Sequence, residues 1–148
     1  MRYAVTLVAV LIVMGFAGGV QASEKKTASE VARLAAEVQG KVVAKTAADV
    51  KVQARGCWLH IEFAANNAVF DLPLAGTKAT ETEMEDGIIL ENNHMTRQIG
   101  SRSPEIFERL ILKFGRHNVK PVMETFGHAI KSCGDEDAAT VALHASRY

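Results

Sequence analysis

The chain has 148 residues, of which 48% are hydrophobic, and its 17 basic residues are balanced by 17 acidic ones. This length fits one domain with a modest hydrophobic core. General nucleic-acid binding depends on an excess of basic side chains that neutralise phosphates, so the balanced charge excludes that class of function.

The first 22 residues have the pattern of a secretory signal peptide. Arg2 precedes an uncharged apolar run over residues 3–16, and Ala22 ends a small-residue cleavage site. The run is shorter than the roughly 20 residues that cross a bilayer. We therefore predict cleavage after Ala22, one domain over residues 23–148, a secreted or periplasmic location and no membrane span after signal removal. A retained N-terminal anchor is the alternative.

An amphipathic helix is predicted from Thr27 to about Lys45. Its apolar residues recur at the spacing of one helix face, and charged residues occupy the other face. The apolar positions are Val31, Leu34, Val38 and Val42. We expect this helix to cover a core with that face.

After residue 49 the apolar residues alternate with polar ones, which is typical of strands. The apolar positions are even-numbered before Gly56 and odd-numbered after it, so a bulge or tight turn is predicted at Arg55-Gly56. Asn66-Asn67 suits a two-residue hairpin loop, which would place Phe63 opposite Phe70. A second hairpin is predicted around a three-residue loop over residues 85–87, rather than a two-residue loop over residues 86–87.

Two further helices are predicted in the C-terminal part. Ser103-Pro104 is a typical helix start, and Gly115 a typical end. The last helix would run from Val119 or Pro121 to Cys133. The predicted fold is therefore α+β, with an N-terminal helix, an antiparallel meander of about four strands and two C-terminal helices packed on one sheet face.

The two cysteines, Cys57 and Cys133, are predicted to form a disulfide. An even number of cysteines in an exported protein favours a bridge. Both residues fall on predicted core-facing positions. Closing a loop of roughly 77 residues would add about 4 kcal/mol of stability on the chain-entropy model. Two free buried thiols are the alternative.

The sheet face opposite the helices carries the candidate functional residues. We predict an exposed binding face with an acidic rim and an aromatic anchor, suited to a basic protein partner or a cationic ligand. Its members are Trp58, His60, Glu62, Asp71 and Glu91. An ordinary solvated sheet surface is the alternative.

The predicted hairpin places two carboxylates, Glu62 and Asp71, directly opposite each other. Like charges in this position repel, so a shared cation or a protonated His60 is expected between them. One histidine and two carboxylates are also weak candidates for a metal site or for acid–base catalysis.

The sequence contains no motif of a zinc protease, serine hydrolase, dinucleotide-binding fold or P-loop enzyme. We therefore predict an exported, non-enzymatic binding protein of the inhibitor or protective-factor type, without a cofactor. A small metal-dependent or acid–base enzyme centred on His60, Glu62 and Asp71 is the alternative. A structural component of the envelope is a third hypothesis, and the oligomeric state is left open.

Overall fold

The computed structural model describes residues 24–44 and 49–136. The predicted signal peptide and its cleavage site lie outside these residues. Residues 24–41 form helix α1. The further elements are β1 (Val50–Arg55), β2 (Trp58–Phe63), β3 (Ala68–Pro73), β4 (Lys78–Glu81), β5 (Gly87–Glu91), β6 (Thr96–Ile99), β7 (Glu105–Ile106), β8 (Arg109–Lys113) and α2 (Arg116–Glu136). Neither helix, over the residues described, has the length and apolar composition needed to cross a membrane.

The strands form two antiparallel sheets. The first sheet has the order β1-β2-β3-β6-β7, and the second has the order β4-β5-β8. The predicted α+β class is confirmed. The single meander of about four strands is not exact. The chain crosses from the first sheet to the second after β3, returns to the first sheet for β6 and β7, and crosses again to the second sheet for β8.

Both helices and both sheets contribute side chains to a common hydrophobic core. The helical residues come from one face of each helix, and the strand residues alternate with exposed ones, as expected for half-buried elements. Members include Val31, Leu34, Val38, Leu59, Ile61, Leu72, Ile88, Leu90, Val122 and Phe126. The predicted apolar face of the first helix is thus buried, although the helix ends at residue 41.

Helix α1 also caps the open edge of the first sheet. The side-chain amide of Gln39 donates to the carbonyl of Val50 at 2.7 Å, and its oxygen accepts from the N–H of Val52 at 2.6 Å. These backbone groups of the edge strand β1 point away from β2, and the bonds to Gln39 give them partners that the sheet does not supply.

The β1–β2 connection is the tight turn predicted at Arg55-Gly56. Arg55 pairs with Trp58, which leaves Gly56 and Cys57 as the two turn residues. Gly56 has φ 57°, a conformation that glycine adopts without a steric penalty. Cys57 is bonded to Cys133 on α2, with Cα atoms 5.7 Å apart. The predicted disulfide is therefore present, and such bonds are typical of oxidising compartments.

The β2–β3 register differs from the prediction by two residues. Ile61 pairs with Phe70 and Phe63 with Ala68, so the loop comprises residues 64–67 and not Asn66-Asn67 alone. In this loop only Asn67 takes a positive φ, of 52°, whereas a two-residue I′ turn needs two such residues. A shift by two residues keeps every side chain on its predicted face. Phe63 and Phe70 still meet edge to face, with ring centroids 5.6 Å apart.

The second hairpin has a longer loop than predicted. β4 ends at Glu81 and β5 begins at Gly87, so residues 82–86 lie between the two strands, and the predicted three-residue loop is wrong. The hydroxyl of Thr82 donates to Asp86 at 3.0 Å and accepts from the N–H of Gly87 at 3.2 Å. These hydrogen bonds hold the two ends of the loop together, and within the loop Glu85 takes a left-handed conformation, with φ 55°.

The predicted helix after Ser103-Pro104 is wrong, because this segment forms strands β7 and β8. Leu110 and Leu112 are buried while their neighbours in β8 are exposed, which is the period of a strand. The last predicted helix is present as α2, but it begins at Arg116 and includes Pro121. The described chain therefore contains one C-terminal helix where two were expected.

Candidate functional site

Trp58 is buried, with only 4% of its surface exposed. The expectation that it forms an exposed aromatic anchor is therefore wrong. Its neighbour Leu59, on the opposite face of β2, is also buried. Alternation correctly separated the two faces of this strand, but it carried no information about what covers each face.

His60 lies between two carboxylates. Its Nδ1 is 2.7 Å from Oδ1 of Asp71, and its Nε2 is 3.0 Å from Oε1 of Glu62. Asp71 pairs with His60 across the sheet, while Glu62 pairs with Val69. The predicted placement of Glu62 directly opposite Asp71 is therefore wrong, and the imidazole occupies the space between the two charges. We call these three residues the His60 cluster.

The hydrogen bonds of the His60 cluster constrain its protons. A neutral imidazole has one N–H, and an ionised carboxylate only accepts. Two simultaneous bonds therefore require either an imidazolium ion or one protonated carboxyl group. With the imidazolium, both bonds are charge-assisted, which shortens and strengthens them. Since His60 is only 7% exposed, these bonds also satisfy a polar ring that is largely removed from water.

Glu62 is the exposed end of the cluster, with 45% of its side chain accessible. The hydrogen bond from His60 lowers the pKa of Glu62 below its ordinary value of 4.5, and it outweighs the opposing effect of desolvation. The charges of His60, Lys51 and Arg55 act in the same direction as the hydrogen bond. Glu62 is therefore ionised at neutral pH.

The remaining side chains of this outward face do not make it acidic. Lys51 pairs with Glu62 across β1 and β2, and Arg55 pairs with Trp58, so both basic residues share the face. The predicted acidic rim is thus a surface of mixed charge.

Glu91 does not belong to this face. It lies on β5 in the second sheet, between Lys78 on β4 and Arg109 on β8. The structure therefore brings four of the five predicted residues together and separates the fifth. Sequence reasoning placed both hairpins in one sheet, and no local pattern marks the crossover between the two sheets.

The arrangement of the His60 cluster also bears on metal binding. Each ring nitrogen of His60 already contacts a carboxylate, so a metal ion would have to replace one of these hydrogen bonds. Over residues 24–44 and 49–136, no three histidine, cysteine or acidic side chains are grouped so as to hold a metal ion.

Sequence reasoning missed the exposure of Ile111. This residue lies in the segment for which a helix was predicted, but in the structure 47% of its surface is exposed on the outward face of the second sheet, opposite Ile89. The alternation of Leu110, Leu112 and Phe114 is the signal that could have placed it there.

Comparisons with known proteins supply no relative onto which these residues can be mapped. No family model, curated protein or solved structure matches the chain. The functional assignment therefore depends on the contacts, burial and charges described above.

Proposed function

We propose that this chain is an exported, non-enzymatic binding protein that holds a protein partner on the outward face of its first sheet. The observation that carries the proposal is Glu62, a half-exposed carboxylate held in place by His60, which is itself held by Asp71. Such a group offers a fixed negative charge to a partner.

The physical advantage of this arrangement is preorganisation. A free glutamate loses rotamer freedom when it forms an intermolecular ion pair, which costs about 0.5–1.5 kcal/mol for a flexible side chain. Glu62 has already given up part of that freedom to the bond with His60. Its Oε2 makes no hydrogen bond or ion pair with any other described residue, so this oxygen is available to a partner.

The charges on the face define the partner's chemistry. A basic side chain, such as the guanidinium of an arginine, would pair with Glu62. Acidic side chains of the same partner would lie near Lys51 and Arg55, which repel a uniformly basic surface. The expected partner is thus a protein with a basic contact residue flanked by acidic ones. The disulfide supports the secreted or periplasmic location in which the two would meet.

A capture experiment with matched charge reversals tests the proposal. Full-length protein is expressed with export, its mass is checked for loss of the first 22 residues, and it is immobilised and exposed to a secreted or periplasmic extract. We expect Glu62→Lys to lose a partner that the wild type retains. Glu83→Lys, the same charge reversal on the exposed loop of the second sheet, should retain it. A set of captured proteins that is identical for all three would contradict the proposal.

The enzymatic alternative, centred on the same His60 cluster, has a separate test. A resident metal ion would raise the melting temperature of the wild type, and this rise would disappear in His60→Asn. We expect Mg²⁺, Mn²⁺ and Zn²⁺ to leave the melting temperature of both proteins unchanged. A metal-dependent rise that requires His60 would favour the enzyme over the binding protein.

A further inference from the structure

We propose that β8, the edge strand of the second sheet, binds an extended acidic segment of a partner by strand addition. This surface is separate from the outward face of the first sheet, which carries Glu62, since β8 belongs to the other sheet. It is formed by Arg109, Ile111 and Lys113, the outward-facing residues of β8. We call these three residues the β8 edge.

The backbone of β8 has an open side. In an antiparallel pair, successive residues point their N–H and C=O groups alternately towards and away from the neighbouring strand. The N–H of Phe114 donates to Asp86 at 2.8 Å, and the carbonyl of Glu108 accepts from Asn92 at 3.1 Å, so the even-numbered residues face β5. The residues of the β8 edge are all odd-numbered, and their backbone N–H and C=O groups therefore point away from β5.

Only the end of this open side is occupied by the described chain. The N–H of Val43 donates to the carbonyl of Lys113 at 2.8 Å. No such bond from the described residues reaches Arg109 or Ile111. An unpaired edge of this kind is a template for a further strand, and peptide-binding domains use it for recognition through main-chain hydrogen bonds.

The side chains of the β8 edge specify what such a strand carries. Ile111 is 47% exposed and lies beside Ile89, so it offers an apolar contact at the centre. Arg109 and Lys113 lie two residues to either side, on the same face and exposed to solvent. Lys113 contacts Asp86 at 3.0 Å, whereas Arg109 forms no ion pair with the rest of the described chain. An added strand with an apolar residue between two carboxylates, each two positions away, matches these three side chains.

The same charges disfavour a second copy of β8 as the occupant. An antiparallel pair centred on Ile111 would place Arg109 of each copy opposite Lys113 of the other. Directly opposed like charges destabilise a strand pair, and basic residues on an edge are a common means of preventing self-association. The charge pattern therefore selects an acidic strand over the protein's own edge.

A pair of synthetic heptapeptides tests this proposal on the full-length protein. The acidic peptide has glutamates at the second and sixth positions, valine at the fourth and threonine elsewhere, and the matched peptide has lysines in place of the glutamates. We expect the acidic peptide to shift the backbone amide resonances of Arg109 and Ile111 saturably. Equal binding of both peptides, or no shift of these resonances, would overturn the proposal.

Two charge reversals locate the site. Arg109→Glu should weaken binding of the acidic peptide by about tenfold, because it replaces an attraction by a repulsion. Lys78→Glu reverses a charge on the same face but at the opposite edge of the second sheet, and it should leave the affinity unchanged. Circular dichroism confirms that both variants are folded. An equal loss of affinity in both variants would indicate general charge attraction and contradict strand addition. Concentration-dependent dimerisation that Arg109→Glu strengthens, because the new carboxylate would face Lys113 of the other copy, would identify a second copy as the occupant.

Discussion

The outward faces of the two sheets differ in how far their side chains are buried and in how their polar groups are satisfied. On the first sheet, Trp58 is 4% exposed and His60 forms hydrogen bonds through both ring nitrogens, while Gln39 caps the edge strand. On the second sheet, Ile111 is exposed, and the described residues occupy the outer backbone edge of β8 only at Lys113. Both faces show the same alternation in sequence. A period of two therefore identifies a face, but the packing around it decides which of its residues are buried and which are exposed.

Alanine substitutions on the two faces should differ most in their effect on stability. Trp58→Ala removes a large buried side chain and should lower the free energy of unfolding by about 3–5 kcal/mol. Ile111→Ala removes an exposed side chain and should change it by less than about 1 kcal/mol. Urea denaturation of both variants measures the difference. Similar losses in the two variants would mean that the two faces are equally buried.

The disulfide is a further feature of the first sheet, because it fixes this sheet to α2 through the β1–β2 turn. Cys133→Ser should lower the free energy of unfolding by about 2–5 kcal/mol, as removal of a native disulfide typically does. Treatment of the wild type with a reducing agent should produce a similar loss and leave Cys133→Ser unaffected. A variant as stable as the oxidised wild type would show that the bond adds nothing to the stability of the first sheet.

The smallest expected effect concerns acid stability, to which each sheet contributes one carboxylate. Hydrogen bonds from His60 to Glu62 and from Lys113 to Asp86 lower the pKa of each carboxyl group below its ordinary value, 4.5 for Glu62 and 3.8 for Asp86. A carboxyl group whose pKa is lowered on folding stabilises the protein above its unfolded pKa, and this stabilisation is lost as the pH falls through the folded pKa. Stability should therefore decline below about pH 4.5 for Glu62 and below about 3.8 for Asp86.

Urea midpoints measured from neutral to acidic pH check this dependence. In Glu62→Gln, the part of the fall in urea midpoint that begins at the higher pH should be absent. In Asp86→Asn, the part that begins at the lower pH should be absent. Glu83→Gln is the matched control, and its profile should coincide with that of the wild type. A wild-type profile that is flat across the acidic range would contradict both contributions.

Local periodicity correctly predicted several elements in the N-terminal half of the domain, although it failed between Ser103 and Gly115. The buried face of α1 follows from the helical spacing of Val31, Leu34 and Val38, and the faces of β2 and β3 follow from alternation. The tight turn at Gly56 follows from the change of parity there. In each case neighbouring residues along the chain carry the whole signal, since a helix or strand repeats every few residues.

The candidate site was only partly predictable. Alternation brought His60 and Glu62 to one face, but the contact between His60 and Asp71 depended on a register that the loop over residues 64–67 shifts by two positions. The length of such a loop depends on hydrogen bonds made within it and to other segments, such as the N–H of Gly100 donating to Asn67 at 2.9 Å. Glu91 was misplaced because only the tertiary structure divides the strands between two sheets.

Local sequence patterns were therefore sufficient for the α+β class, the buried face of the first helix, the two faces of β2 and β3 and the pairing of the two cysteines. The tertiary structure decided whether the segment from Glu105 to Lys113 became a helix or strands, since its apolar residues fit both periods. Pairing of β8 with β5 and burial of Leu110 and Leu112 favour the strand, because they satisfy backbone and core together. The same long-range packing buried Trp58 and left Ile111 exposed, because burial depends on contacts between segments distant in the chain.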